Sequence, residues 1–193
     1  MSDGGFYWRG GKRGLDVLLA AIALLVLGPL LLVIALAVWL EDRGPALFRQ
    51  ARIGREGHPF ILVKFRSMPV GTAHLPSSSA TSLRVTRVGS VIRRLNLDEL
   101  PQLFNILAGE MSVVGPRPAL SNQMELLELR RANAAMSLRP GLTGLAQIRS
   151  YDGRPVAEKA AADAEYARRA SLSLDVAIIL RTVGYLFRRP PVY

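Results

Sequence analysis

The chain has 193 residues, enough for one domain with a working core, and its 25 Lys and Arg against 15 Asp and Glu give a formal charge of +10. Such an excess points to anionic partners (nucleic acid, anionic lipid or phosphorylated substrates) without choosing among them. The absence of cysteine excludes disulfide staples and thiolate metal sites. No P-loop, GxGxxG or HExxH motif is present, and His58 and His74 stand apart, so catalysis must rest on carboxylates.

Val17 to Leu40 is an apolar run of 24 residues whose one polar side-chain group is the indole of Trp39. Lys12, Arg13 and Asp16 stand before it and Glu41, Asp42 and Arg43 after it, with Trp8 and Trp39 placed as interface anchors. A straight helix of that length reaches about 36 Å, enough for a hydrocarbon core of about 30 Å. Gly28-Pro29 interrupts the run at its middle, since proline removes a helical hydrogen bond and crowds the preceding turn. Each half alone would be about 16 to 18 Å long, too short to cross. Arginines and lysine flank both ends, so neither flank is marked as non-cytoplasmic. The residues alone leave a kinked span and a re-entrant hairpin equally open. The run is too long for a cleaved leader, although Ala35-Leu36-Ala37 mimics a cleavage site.

After Gly44-Pro45, residues 46–54 and 58–68 alternate and are joined by Arg55-Glu56-Gly57, which predicts a β-hairpin carrying Lys64 and Arg66 outward, either as site residues or as solvated positions. Gly71 to Ser82 reads as a loop. Leu100, Leu103, Phe104 and Leu107 predict a helix burying one face, and Ala119 to Met136 a second amphipathic helix. Arg139-Pro140-Gly141 and Thr143-Gly144 read as a compact turn region, and Ala157 to Arg169 as a helix. Leu172 to Phe187 predicts an apolar helix, basic at Arg188-Arg189, that suits the bilayer interface or a protein core equally.

The densest chemistry lies between Asn96 and Pro118. Asp98 and Glu99 are adjacent, so on a helix they point about 100° apart, and one can attack while the other holds a cation. Asn96 followed by Glu99 also fits a capping box, and the residues alone do not choose between capping and catalysis. Arg117 sits between Pro116 and Pro118, each fixing φ, which suits either a restrained phosphate ligand or a stiff turn.

Taken together, Lys12-Arg13, Asp16, the proline-interrupted apolar segment, Lys64 to Met68, Thr86 to Gly89, Leu97 to Leu103, Gly109 to Pro118, Arg139 to Gln147, and Asp163, Tyr166, Ser171 and Asp175 resemble the bacterial sugar transferases, the monotopic polyprenyl-phosphate phosphoglycosyl transferases. The resemblance covers nearly the whole chain in order. It implies a mainly helical α+β fold: a membrane-embedded re-entrant broken helix with its flanks at 1–43, bent at Gly28-Pro29, and a cytoplasmic catalytic domain at 44–193 with a small β-hairpin and interfacial amphipathic helices. It further implies transfer of a phosphosugar from a UDP-sugar to a polyprenyl phosphate, with release of UMP, at the cytoplasmic face of the bacterial inner membrane. Asp98 would be the nucleophile, Glu99 with Asp98 the Mg²⁺ ligands, and Asp163 a third catalytic acid. Lys64, Arg93, Arg117 and Arg139 would bind substrate. No nucleic-acid partner is expected, and a homo-oligomer is left open.

The chain departs from the family pattern in several places. Gly28 stands where serine is common, Leu145 replaces a tryptophan, and Ile148 to Gly153 and Val156 to Lys159 replace an Asn-Gly-Arg pattern and a Trp-containing stretch. That region bears on sugar choice. Larger relatives add N-terminal membrane domains, so the resemblance is to the minimal form. A membrane-tethered basic nucleic-acid binder, or an anchor without catalysis, is the competing reading of the +10 charge, but it leaves the order of acids and cations unexplained.

Overall fold

The computed structural model describes residues 10–71, 85–149 and 155–186. Trp8, the loop expected after Gly71, the departures at 150–153 and Arg188-Arg189 lie outside the described residues. The apolar run forms a 31-residue helix α1, Lys12–Asp42, ended by Arg43 in the left-handed region (φ 58°), whose N–H donates to the Trp39 carbonyl at 2.7 Å. The chain stays helical through Gly28 and Pro29. The proline therefore costs a backbone bond inside one continuous helix and does not divide the segment into two capped halves.

Both ends of α1 are tied to the same folded body. At the start, Arg13 donates to the carbonyls of Ile106 (2.6 Å) and Leu107 (3.0 Å), and Lys12 meets Asp175 at 2.6 Å. Asp16, 3% exposed, accepts from the Ser112 hydroxyl (2.8 Å) and the Val113 N–H (2.9 Å). At the far end Asp42 pairs with Arg66, and Glu41 accepts the Arg87 N–H at 2.6 Å. Between these anchors Ala20 packs with Phe60, Leu62, Leu103, Ile106 and Met111, while Leu31, Ile34 and Val38 pack with Phe65 and Ile92. The outward face is bare: Leu25 is 82% and Leu32 74% exposed. An apolar face that large, with no partner among the described residues, is compatible with a place in a membrane.

The expected hairpin forms, with β1 (Leu47–Ile53) antiparallel to β2 (Pro59–Phe65) and Gln50 opposite Leu62. Helix α2 (Arg87–Arg94) is capped by the Thr86 hydroxyl, which accepts the Gly89 N–H at 2.9 Å. A single 3₁₀ turn, Leu97–Glu99, then leads into α3 (Gln102–Ala108). The predicted single apolar face of that helix is split: Leu103 and Ile106 are buried, whereas Phe104 is 54% exposed.

What the sequence marked as turns around Gly141 is strand. β3 (Ser112–Val114) and β4 (Gly141–Thr143) pair in parallel. Glycine is required there because a Cβ on Gly141 would lie 2.1 Å from the Gly115 nitrogen, so the two backbones touch directly. Helices α4 (Met124–Ala132), α5 (Leu145–Arg149), α6 (Val156–Arg169) and α7 (Leu172–Leu186) complete the body. Val114, Leu145, Ile148, Tyr166, Ala170 and Ile178 form the core beneath them. The expected helix from Ala119 to Met136 is shorter, running from Met124 to Ala132. The mainly helical α+β class is as expected, with α7 both packed through Ile178 and exposed along Leu172, Val176, Leu180 and Val183.

Candidate active site

The acid pair lies in a cleft lined by Arg52, Leu62, Lys64, Arg93, Asn96, Asp98, Glu99, Gln102, Arg117 and Pro118. Three separate elements build it. The hairpin brings Arg52 from β1 and Lys64 from β2, the last turn of α2 supplies Arg93, and the chain leaving β3 enters Pro116-Arg117-Pro118. The expected capping box does not form: Asn96 is left-handed (φ 54°) and makes no side-chain cap. The adjacent acids occupy the 3₁₀ turn itself and face the cleft instead of serving a helix end.

Within the cleft the two carboxylates are held differently. Asp98 is 8% exposed, and burial first, then the neighbouring Glu99, pushes its carboxyl up to about 6 against the pull of Lys64, Arg93 and Arg117. Burial pushes Glu99 up as well, but the charge and hydrogen bond of Arg117, aided by Lys64 and Arg52, outweigh it and hold Glu99 below its usual range. The Arg117 Nη2 to Glu99 Oε1 distance is 2.8 Å. Burial lowers Lys64 from its ordinary value against the opposing charges of Asp98 and Glu99, and its Nζ lies 5.3 Å from the Phe48 ring centroid. Burial, with Arg117 beside it, also brings Arg52 down to about 10.

Four cations thus surround two carboxylates, which is a setting for a phosphorylated anion. Among the described residues no three His, Asp or Glu side chains gather as a metal cage. Mg²⁺ seldom uses such a cage; it is held by one or two carboxylates together with substrate phosphates. Asp98 and Glu99 fit that donor set.

The structure brings Lys64, Arg93, Asp98, Glu99 and Arg117 together as the sequence predicts, and leaves two predicted residues out of the cleft lining. Arg139 donates through Nε to the Gly109 carbonyl at 2.8 Å, beyond the end of α3 and on the same carbonyl cluster as Arg13. Burial, and then Arg55 and Arg13, lower its pKa. Asp163, 2% exposed, lies behind the site, where its Oδ2 accepts from Arg130 Nε (2.8 Å) and Nη2 (2.7 Å). Its carboxyl is raised by burial, opposed by Arg130. Arg52, Asn96, Gln102 and Pro118 were missed. The signal for Arg52 was present: Phe48, Gln50 and Arg52 share one strand face, and a glutamine only 9% exposed on that face marks it as polar and turned inward.

A cleft of cations around paired acids suits chemistry on a phosphorylated anion. Residues 7–189 match the model of the family described as "Bacterial sugar transferase", and the chain belongs to that family. The chain is 42% identical over 191 residues to a UDP-glucose:undecaprenyl-phosphate glucose-1-phosphate transferase of Caulobacter vibrioides, covering 94% of this chain and 72% of that one. It is 40% identical over 189 residues to the exopolysaccharide production protein ExoY of Sinorhizobium fredii, covering 89% and 83%. It is 39% identical over 179 residues to a UDP-N-acetylgalactosamine-undecaprenyl-phosphate N-acetylgalactosaminephosphotransferase of Aeromonas hydrophila, covering 89% of this chain and 42% of the relative. Several other relatives are also matched over 35% to 41% of their length. The chain is therefore an enzyme of the sugar-phosphate transferase class, not a non-catalytic binder or anchor.

Proposed function

We propose that the protein transfers a phosphosugar from a UDP-sugar to a polyprenyl phosphate, undecaprenyl phosphate by analogy with its relatives, as the first membrane step of a glycoconjugate or exopolysaccharide. The observation that carries this is the cleft's charge. Arg52, Lys64, Arg93 and Arg117 outnumber Asp98 and Glu99 by two, which matches the roughly two negative charges of a nucleotide-sugar diphosphate.

The proposed chemistry runs in two displacements. An Asp98 carboxylate oxygen attacks the phosphorus that bears the sugar; the P–O bond to the α-phosphate breaks, and UMP departs with the bonding electrons. An oxygen of the polyprenyl phosphate then attacks the same phosphorus, the acyl-phosphate P–O bond breaks, and Asp98 leaves as carboxylate. Arg117, Lys64, Arg52 and Arg93 offset the repulsion that a carboxylate meets at a diphosphate. Asp98 and Glu99 would hold Mg²⁺, which when bound supplies further neutralisation of the diphosphate and the departing UMP. Asp98, buried but held only to about 6, is still mostly carboxylate near neutral pH.

The reaction joins a water-soluble donor to a lipid acceptor, and we read the topology accordingly. Residues 1–43 form the membrane-embedded part and 44–193 the catalytic part, on the cytoplasmic face of the bacterial inner membrane. The helix α1 enters and leaves on one side. The attachment of Lys12, Arg13 and Asp16, and equally of Glu41 and Asp42, to one body supports this, because a spanning helix would hold those ends on opposite sides.

The test is direct: incubate the purified protein with undecaprenyl phosphate, Mg²⁺ and a panel led by UDP-glucose and UDP-N-acetylgalactosamine, and follow UMP. Asp98→Asn should abolish turnover and trap no phosphosugar adduct. Wild-type turnover in Asp98→Asn would sink the covalent mechanism.

A further inference from the structure

The segment Pro116-Arg117-Pro118 has an unusual anchoring problem. Two of its three residues lack an N–H, so it must be held mainly through its carbonyls. Each of these, and the next, is taken. The Pro116 carbonyl accepts the Gly141 N–H (2.8 Å), Arg117 accepts Arg130 Nη1 (2.9 Å), Pro118 accepts Arg52 Nη1 (3.2 Å), and Ala119 accepts the Ile53 N–H (2.9 Å). Gly141 and Ile53 contribute backbone, and Arg52 lines the cleft. Arg130 is the one of the four that acts through its side chain from outside the cleft lining.

Arg130 is 6% exposed, and its fork is divided. Nε and Nη2 close on Asp163 Oδ2, and Nη1 turns to the Arg117 carbonyl. The Arg117 side chain in turn reaches Glu99 in the cleft. A lysine offers no such fork, because one ammonium does not reproduce two fixed donor directions.

We propose that Arg130 is a positioning residue: locked by Asp163, it pins the Arg117 backbone so that the Arg117 guanidinium is held beside Glu99 to receive the donor diphosphate. Asp163 thereby acts through Arg130 and not on substrate. The proposal rests on the transferase reading for its kinetic consequence, but the pinning is measurable without turnover.

A purely structural ion pair and a positioning device give different results in one set of variants. Arg130→Gln strands a buried carboxylate and should lower the thermal midpoint; Arg130→Gln with Asp163→Asn removes both charges and should restore it. Positioning predicts that kcat/KM for the UDP-sugar stays tenfold to a hundredfold down in the restored double variant, since a small misplacement costs about that much. It also predicts that the double variant adds less than about twofold on an Arg117→Ala background, because the two act as one unit. Arg130→Lys, which keeps the charge, should keep the midpoint and still lose rate. A double variant that regains kcat/KM with its stability, or a full additional loss on Arg117→Ala, overturns the proposal. Hydrogen exchange gives an answer independent of activity: the Gly141 and Ile53 amides, which donate to the Pro116 and Ala119 carbonyls, should exchange at least tenfold faster in the double variant, and unchanged exchange overturns the proposal. Absence of UMP release by the wild type would count against the transferase reading alone.

Discussion

Asp16→Ala isolates the joint between helix α1 and the body that carries the cleft. Asp16 lies in the second turn of α1 yet is 3% exposed, because its carboxylate reaches into β3. It accepts from the Ser112 hydroxyl at 2.8 Å and the Val113 N–H at 2.9 Å. Hydrogen bonds to a charged group contribute about 1.5–3 kcal/mol each, and an orphaned buried N–H costs about 1–3 kcal/mol. Ser112 has a second acceptor in the Val114 carbonyl at 2.9 Å, so its hydroxyl is not stranded. The loss therefore falls mostly on Val113 and comes to about 2–4 kcal/mol. For a chain of this size each kcal/mol moves the midpoint by about 2–4 °C, so the expected fall is about 5–15 °C. Thermal unfolding in one detergent, wild type against variant, measures it. Asp16→Asn keeps an acceptor oxygen for Val113 and should lose less than half as much. A midpoint for Asp16→Ala within about 1 °C of wild type refutes the reasoning.

Single cysteines at Gly10 and Arg49, in a chain with none of its own, should react with an impermeant thiol reagent from the same membrane face, and labelling from opposite faces would end the re-entrant reading. Arg66 holds the Asp42 carboxyl down to about 2 from an ordinary 3.8, so their pair stabilises above about pH 4 and is lost as pH falls toward 2. Arg66→Gln should accordingly cost stability at pH 7 and progressively less at pH 3; with the Asp42 side chain 27% exposed, solvent screening limits the cost to about 1 kcal/mol. Gly141→Ala would set a methyl 2.3 Å from the Thr143 carbonyl and should cost about 3 kcal/mol of stability, lowering the thermal midpoint more than any surface change; an unaltered midpoint would show that the two strands part easily.

The hairpin, the long helix and the acid pair were legible because each depends on local pattern: alternation, an uninterrupted apolar run, and adjacent charge. The parallel pair β3–β4 was not, since three-residue strands are too short to show a period and Gly141 is there for contact with Gly115, a residue 26 positions away in sequence. Asn96 and Gln102 lie within three residues of the acid pair and line the cleft with it on either side of the 3₁₀ turn, a turn that no periodicity announces. Asp163 was legible as an acid of interest, but not its place: it pairs with Arg130 outside the cleft lining. Its partner Arg130 is 33 residues away, and nothing local to Asp163 says that its carboxylate is spent on an arginine.

One strand connects the apolar helix α1 to the cleft. Along β2, Phe60, Leu62 and Lys64 fall on one face by alternation. Phe60 and Leu62 pack against Ala20 of α1, Leu62 also lines the cleft, and Lys64 lies in the cleft with Asp98. Phe65, on the other face at the strand's end, packs with Leu31, Ile34 and Val38 from the second half of α1. The cleft is therefore fixed to both halves of the apolar helix through a strand of seven residues. A change that tilts either half of α1 must move Lys64 relative to Asp98, so substitutions at Ala20 or Ile34, neither of which lines the cleft, should lower kcat before they prevent folding. Ala20 is the sharper case: it is fully buried against β2 and α3, so a leucine there has no room and must push the strand that carries Lys64.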